Sequence, residues 1–203
     1  MKRNNLITDF TSGNIAKQLT VFMLPFVASF GLQVLYSIID MIIVGRYVGT
    51  SAISGVSQGG MLTLFATIFC LGFSNSGQTL FAQSLGAGKT KEFNQIIGTT
   101  FTVTACMGIA TCFLLVTFRA PLLTFLNIPP EASKMADNYV MICGCGLIFN
   151  HMYNTVSAIL RGLGDSKHPF IFITISSVLN LLLDLLFTGR LGLGVAAPQR
   201  QLF

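Results

Sequence analysis

Five apolar stretches separated by short polar breaks run through the chain: Leu19–Val44, Ile53–Phe81, Ile96–Phe118, Tyr139–Leu160 and Phe170–Phe187. A bilayer core takes about 20 apolar residues in helical form, and each stretch reaches roughly that length. Membrane β-strands would instead alternate in polarity over about ten residues at a time, a pattern the chain does not show. The pattern predicts an all-α polytopic membrane protein with five transmembrane helices. The second stretch fits least well, since Ser57, Gln58, Ser74, Asn75, Ser76 and Gln78 make both its ends polar. Its Gly59, Gly60, Gly72 and Gly77 suit close helix packing instead.

Polar residues inside such runs carry the functional information. Asn180 and Asp184 are four apart, hence on one helix face about 6 Å apart along the axis. The only other acid inside an apolar run is Asp40. An ionisable group in hydrocarbon is costly enough to point to function by default. Gln33, Tyr36 and Asp40 follow 3 and 4 spacing, so one face of the first span is polar and suited to a bundle interior. Pro25, in the same span, either kinks the helix and frees a carbonyl near a cavity or is packed inertly.

Composition agrees with the pattern and narrows the class. With 52% hydrophobic residues, 9% charged and a mean hydropathy of +0.72, the chain has too little polar surface to coat a soluble globule. The formal net charge of +5 comes from Lys and Arg scattered singly between the apolar runs, not from a basic stripe, so nucleic acid is not an expected partner. With the N-terminus in the cytoplasm, Lys2, Arg3, Lys17, Lys89, Lys91, Arg161 and Lys167 lie inside, against Arg46, Arg119, Lys134 and Arg190 outside. The excess inside favours that orientation. The first run is longer than the core of a signal peptide and lacks a clear cleavage site, so it is expected to stay as a span.

This topology places Asp40 and Asp184 near the outer ends of two spans that run in the same direction, with Tyr139 at that depth and Asn180 one turn deeper. An acid near a span end can simply reach the headgroups. Each Asp, however, lies near the C-terminal end of its helix, where the macrodipole disfavours negative charge, so neither is there to stabilise its helix. The carboxylates could carry a proton, or could bind Na⁺ together with the Asn180 carbonyl oxygen.

Other residues invite blander readings. His151, with Asn150 and Asn154, lies roughly 18 Å from the Tyr139 level and is expected to hydrogen-bond between helices. Cys143 and Cys145 fall on different helix faces, while Cys70, Cys106 and Cys112 are scattered, so all five are expected to be buried small apolar residues with no metal or disulfide framework. Two inner loops, AQSLGAGKTKEFNQ from Ala82 and LRGLGDSKHP from Leu160, read as short, tight connections. Neither contains a GxGxxG nucleotide loop.

From about Gly13 to Val195 the chain resembles the multidrug and toxic compound extrusion (MATE) family of cation-coupled antiporters. The likeness rests on LPFVASFGLQVLYSIIDMIIVG in the first span, on the two inner loops and on NLLLD in the fifth span. It implies two six-helix lobes facing a central cavity, no enzymatic activity, no cofactor beyond a coupling H⁺ or Na⁺, and export of amphipathic, often cationic compounds. It also implies that Asp40, Tyr139, Asn180 and Asp184 correspond to a cation and substrate site in the N-terminal lobe. Gln33, Tyr36 and Pro25 are accessory candidates, and transient Na⁺ at Asp40, Asn180 and Asp184 is the only metal considered.

After GRLGLGV the chain reads AAPQRQLF, where the family pattern calls for a sixth apolar helix. The expected organisation is therefore a cytoplasmic segment (1–18), an incomplete N-terminal lobe (19–195) and an atypical tail (196–203) from truncation or a shifted reading frame. Such a chain, in a bacterial cytoplasmic membrane, is expected to be inactive without its C-terminal lobe. A flippase for lipid-linked oligosaccharides is the alternative, although that chemistry calls for cations lining the cavity where this chain has acids. An intramembrane aspartyl protease is suggested by the two membrane aspartates and by the GxGD string at Gly162–Asp165, but the polar SKHP that follows leaves no second catalytic Asp on an apolar helix there.

Overall fold

A computed structural model describes residues 13–47 and 49–186. They form five α-helices: α1 (Ile15–Tyr47), α2 (Thr50–Gly86), α3 (Thr90–Phe125), α4 (Pro130–Gly162) and α5 (Lys167–Asp184), with no strand among the described residues. The tail from residue 196, the expected start of a sixth helix near Val195 and most of the N-terminal segment lie outside the described residues.

The helices fall into two groups. α2, α3 and α4 pack as a trio with α4 in contact with both others, while α1 packs along α5; the groups meet along thinner α1–α2 and α4–α5 seams. The trio is organised by α4, whose buried positions Ala136, Val140, Gly144, Leu147, His151 and Thr155 recur every three or four residues. Small residues on this stripe admit close backbone approach. A Cβ at Gly55 of α2 would lie 3.0 Å from the Ala132 carbonyl oxygen and 2.9 Å from the Met135 Cβ. At Gly77 it would meet Thr100 of α3 at 2.7 Å. Gly59 is seated against Tyr139 and Val140 in the same way, whereas Gly72 faces open space, contrary to its expected packing role.

Three helices, α1, α2 and α3, are long and apolar enough to cross a bilayer. Over the described residues, α4 and α5 are by that measure less apolar than these three. α4 is the inner helix of the trio, so its surface is matched to α2 and α3 rather than to lipid, and it carries Asn150, His151 and Asn154 at mid-length. α5 has 18 residues and includes Lys167 and His168 at one end and Asp184 at the other. Large apolar side chains cover the periphery: Phe149 is 75% exposed and Leu24 71%, a surface suited to hydrocarbon rather than water.

The doubtful second stretch forms one unbroken helix, and its polar end is satisfied inside the bundle. The Ser74 hydroxyl lies 3.3 Å from that of Thr155, which donates to Thr104 at 2.8 Å, and Gln78 Oε1 accepts from Arg161 Nε at 3.0 Å. These bonds run from α2 to α4 and on to α3. They replace water for groups that would otherwise be stranded in an apolar interior.

Both inner loops close helices in the same way. At the end of α2, Lys89 N–H donates to the Ser84 carbonyl and Gly88 adopts φ +70; at the end of α4, Asp165 N–H donates to the Leu160 carbonyl and Gly164 adopts φ +85. This six-to-one closure needs a left-handed residue, which glycine provides without a Cβ penalty. Asp165 then caps α5, its carboxylate accepting from the backbone N–H of Lys167 and His168 and pairing with the His168 ring. The acid of the GxGD string is thus occupied by capping.

Candidate functional site

The geometry of the α1–α5 pair follows from the spacing on each helix. Tyr36 and Asp40 are one turn apart on α1, Asn180 and Asp184 one turn apart on α5, and the two faces meet. The Tyr36 hydroxyl donates to Asp184 Oδ2 at 3.5 Å, the outer limit of a hydrogen bond, and Asn180 lies one turn from Asp184 on the same face of α5. Asp40 and Asp184 face each other near enough for their charges to interact. Two ionised carboxylates placed opposite each other repel, and a proton or a cation between them relieves that repulsion. Asp40, Tyr36 and Asp184 are all partly buried, while Asn180 is exposed at the edge of the pair.

α4 contributes from across the seam. Tyr139 and Asp40 line one cavity of about 190 Å³ together with Ser37, Met41, Ser57 and Gly60. The ring of Tyr139 rests on Gly59, and its hydroxyl would be 3.9 Å from a Cβ at Gly60. Just outside, Val44 and Met135 pack with Ile53 and Val56, pinning the end of α1 to α2 and α4. The four principal site residues of the sequence reading are therefore brought together, three on the helix pair and Tyr139 facing them.

The accessory candidates separate. Tyr36 belongs to the cluster. Gln33 instead lines a second cavity, with Phe26, Phe30, Asn154 and Arg161. Pro25 lies within an unbroken α1, roughly 22 Å from Asp40 at 1.5 Å per residue, and its carbonyl accepts from the Ser29 hydroxyl at 2.8 Å. It takes no part in the acidic cluster.

Two further expectations are corrected. Asn154 donates to Asn150 within α4, at 2.9 Å to both its carbonyl and its side chain, so this pair makes no bond between helices. His151 is fully buried beside Gly108 and the Ala66 carbonyl, and neither ring nitrogen has a partner of hydrogen-bonding geometry. The reason is rotational: Asn150 and Asn154 share one face of α4, while His151 lies about 100° round, on the face buried in the trio. Among the cysteines, Cys70 is buried but Cys106 and Cys145 are exposed on outward faces of α3 and α4. Cys143 lies one turn from Tyr139 on the same face of α4 and is only partly buried.

The family profile described as MatE matches residues 25–186, and the chain belongs to that family. It is 32% identical over 192 residues to the probable multidrug resistance protein YpnP of Bacillus subtilis (strain 168), covering 93% of this chain and 42% of that protein. YoeA of the same organism, also described as a probable multidrug resistance protein, is 28% identical over 180 residues, covering 88% of this chain and 39% of that protein. Among solved structures, the MATE multidrug transporter DinF-BH superposes with a TM-score of 0.86 at 22% identity, covering 95% of this chain and 43% of that one, a likeness of fold alone. The chain spans about two fifths of the length of the curated relatives it matches.

Proposed function

We propose that this chain supplies one lobe of a cation-coupled antiporter that exports amphipathic organic compounds, with H⁺ or Na⁺ as the coupling ion. The observation that supports this most directly is that Asp40 and Asp184 face each other, with Tyr36 bonded to Asp184, on two helices only thinly joined to the α2–α3–α4 trio. Loading a cation removes the repulsion between the carboxylates and lets α1 and α5 close; releasing it drives them apart. The Tyr36 hydroxyl and the Asn180 amide complete the ion's surroundings, and Tyr139 places an aromatic wall where a bound compound would sense that movement. Relatives described as multidrug resistance proteins make a drug-like substrate the natural reading. On this reading the N-terminus is cytoplasmic, the membrane is the bacterial cytoplasmic membrane, and a second lobe completes the cavity.

The test uses liposomes carrying either the 203-residue chain alone or the chain co-expressed with the C-terminal half of a relative such as YpnP. A pH or Na⁺ gradient is imposed and a fluorescent cationic dye is followed. The expected result is gradient-driven dye movement only with both halves, lost in Asp40→Asn and in Asp184→Asn while insertion persists. Full transport by a well-inserted Asp40→Asn variant would falsify the assignment of the carboxylates. Transport by the chain alone would remove the need for a second lobe.

A further inference from the structure

The second cavity, of about 660 Å³, lies between the α1–α5 pair and α2 and α4, within the range of small-molecule sites. Its wall divides by chemistry. Phe26, Phe30 and Leu64 form an apolar side, and Asn75, Tyr153 and Arg161 a polar one. No Asp or Glu is among its lining residues.

Arg161 sets the electrostatics of this space. Its Nε donates to Gln78, and its guanidinium lies over the Phe26 ring, 5.5 Å from the centroid. The bond to Gln78 fixes the plane of the guanidinium and leaves the Nη groups as donors. Arg161 is partly buried and has no carboxylate partner among the described residues. The contrast is Arg119 at the other end of the bundle, whose Nε reaches Asp137 at 2.9 Å. The acid closest in sequence, Asp165, is engaged by the α5 backbone and His168. A partly buried cation held in place without a counter-ion is a receptor for an anionic group.

We propose that this cavity binds an amphiphile with an anionic head, phosphate or carboxylate, the head at Arg161 and the apolar body along Phe26, Phe30 and Leu64. The site is separate from the Asp40 cluster and opposite to it in charge. It does not depend on the antiporter reading, because a chain that moves nothing would still bind such a molecule. A lipid of the surrounding leaflet and a soluble amphiphile present the same chemistry, and the experiment separates them.

The chain contains no Trp, so Phe30→Trp creates a single fluorescent reporter in the cavity wall. Phe113→Trp, at an exposed position on α3, serves as a lipid-facing control. In phosphatidylcholine nanodiscs, 12-bromododecyl phosphate should quench the Phe30→Trp reporter at concentrations at least tenfold below those of 12-bromododecyltrimethylammonium, with no such preference for Phe113→Trp. Arg161→Gln in the Phe30→Trp background should abolish the preference, and Arg161→Lys should keep part of it. Brominated phosphatidylglycerol built into the disc tests the lipid source: if it quenches Phe30→Trp more than brominated phosphatidylcholine does, the site takes leaflet lipid, and if the two quench equally while the added phosphate retains its preference, the site takes soluble amphiphiles. Equal quenching by the two soluble charges, or a preference that survives Arg161→Gln, overturns the proposal. Because the two-reporter comparison leaves Arg161 intact, it decides the matter even if Arg161→Gln fails to insert.

Discussion

In the α2–α3–α4 trio, backbones touch through glycine and small side chains, and the polar groups between them bond to one another. In the α1–α5 pair, Gly31 meets nothing within 4 Å, the Tyr36–Asp184 bond is long at 3.5 Å, and the facing acids Asp40 and Asp184 repel unless an ion or proton joins them. The trio has one good packing solution, set by close-packed contacts. The pair has a contact whose strength depends on what is bound. A scaffold and a responsive element can thus be built from the same apolar residues, the difference lying in where small residues and acids are placed.

The largest expected effect comes from breaking the scaffold. At Gly55 any side chain meets the α4 backbone at about 3.0 Å, with no flexible group to yield. Gly55→Leu should therefore separate α2 from α4, at ~1–3 kcal/mol or more for overpacking of this kind. Cys70, fully buried in the trio, reports on it. In a background where the other four cysteines are replaced, maleimide should label Cys70 slowly in the parent and rapidly in Gly55→Leu. Slow labelling in both would mean that the close approach is not what holds the trio.

The next effect tests whether the two regions are separable. Asp40→Asn removes a charge from the pair and touches nothing in the trio's core. It should leave Cys70 protection unchanged while abolishing the ion dependence of any distance measured between α1 and α5, for example by spin labels at Val34 and Val178. Faster Cys70 labelling in this variant would show that the pair and trio form one cooperative unit.

Much of this division is legible in the chain, and the missing parts share a cause. The meeting of Asp40, Asn180 and Asp184 follows from helical spacing and span direction, both properties of single helices. Tyr139 follows from depth alone. Which face of each helix turns inward depends on partners distant in sequence, so Gly59 and Gly72 look equivalent in the sequence although only one is packed. The same blindness hides the pairing of Gln78 with Arg161 and the burial of His151 away from its polar neighbours. The length of α4 marks it as a span, and its modest hydropathy becomes intelligible only with α2 and α3 covering it.

A smaller effect lies at the edge of the trio. Arg119 of α3 and Asp137 of α4 are joined at 2.9 Å, but both are about a third or more exposed, so water screens them. Pairs of this kind contribute about 0.2–1 kcal/mol. Arg119→Gln, Asp137→Asn and the double variant, compared by thermal loss of helicity in detergent, should give a coupling energy in that range that shrinks at high salt. A coupling well above it would make this end of the trio a clamp rather than a trim.

The smallest effect is expected at Gly72, and its smallness is informative. Gly72 lies on α2 between the packed Gly59 and Gly77, so a reading from composition would treat all three alike. A Cβ built there meets nothing within 4 Å, and the residue is exposed. Replacing it by Ala removes conformational freedom from the unfolded chain and adds a better helix former, a change of up to about 1 kcal/mol in favour of the helix. Its carbonyl still accepts from the Ser76 hydroxyl at 2.9 Å, because that bond involves only the backbone of residue 72. Gly72→Ala should therefore keep Cys70 protected and raise the thermal midpoint slightly, whereas Gly77→Ala, whose Cβ would lie 2.7 Å from Thr100, should lower it. If both substitutions destabilise alike, Gly72 is covered by a contact beyond residues 13–186, and the open face of α2 is in fact an interface.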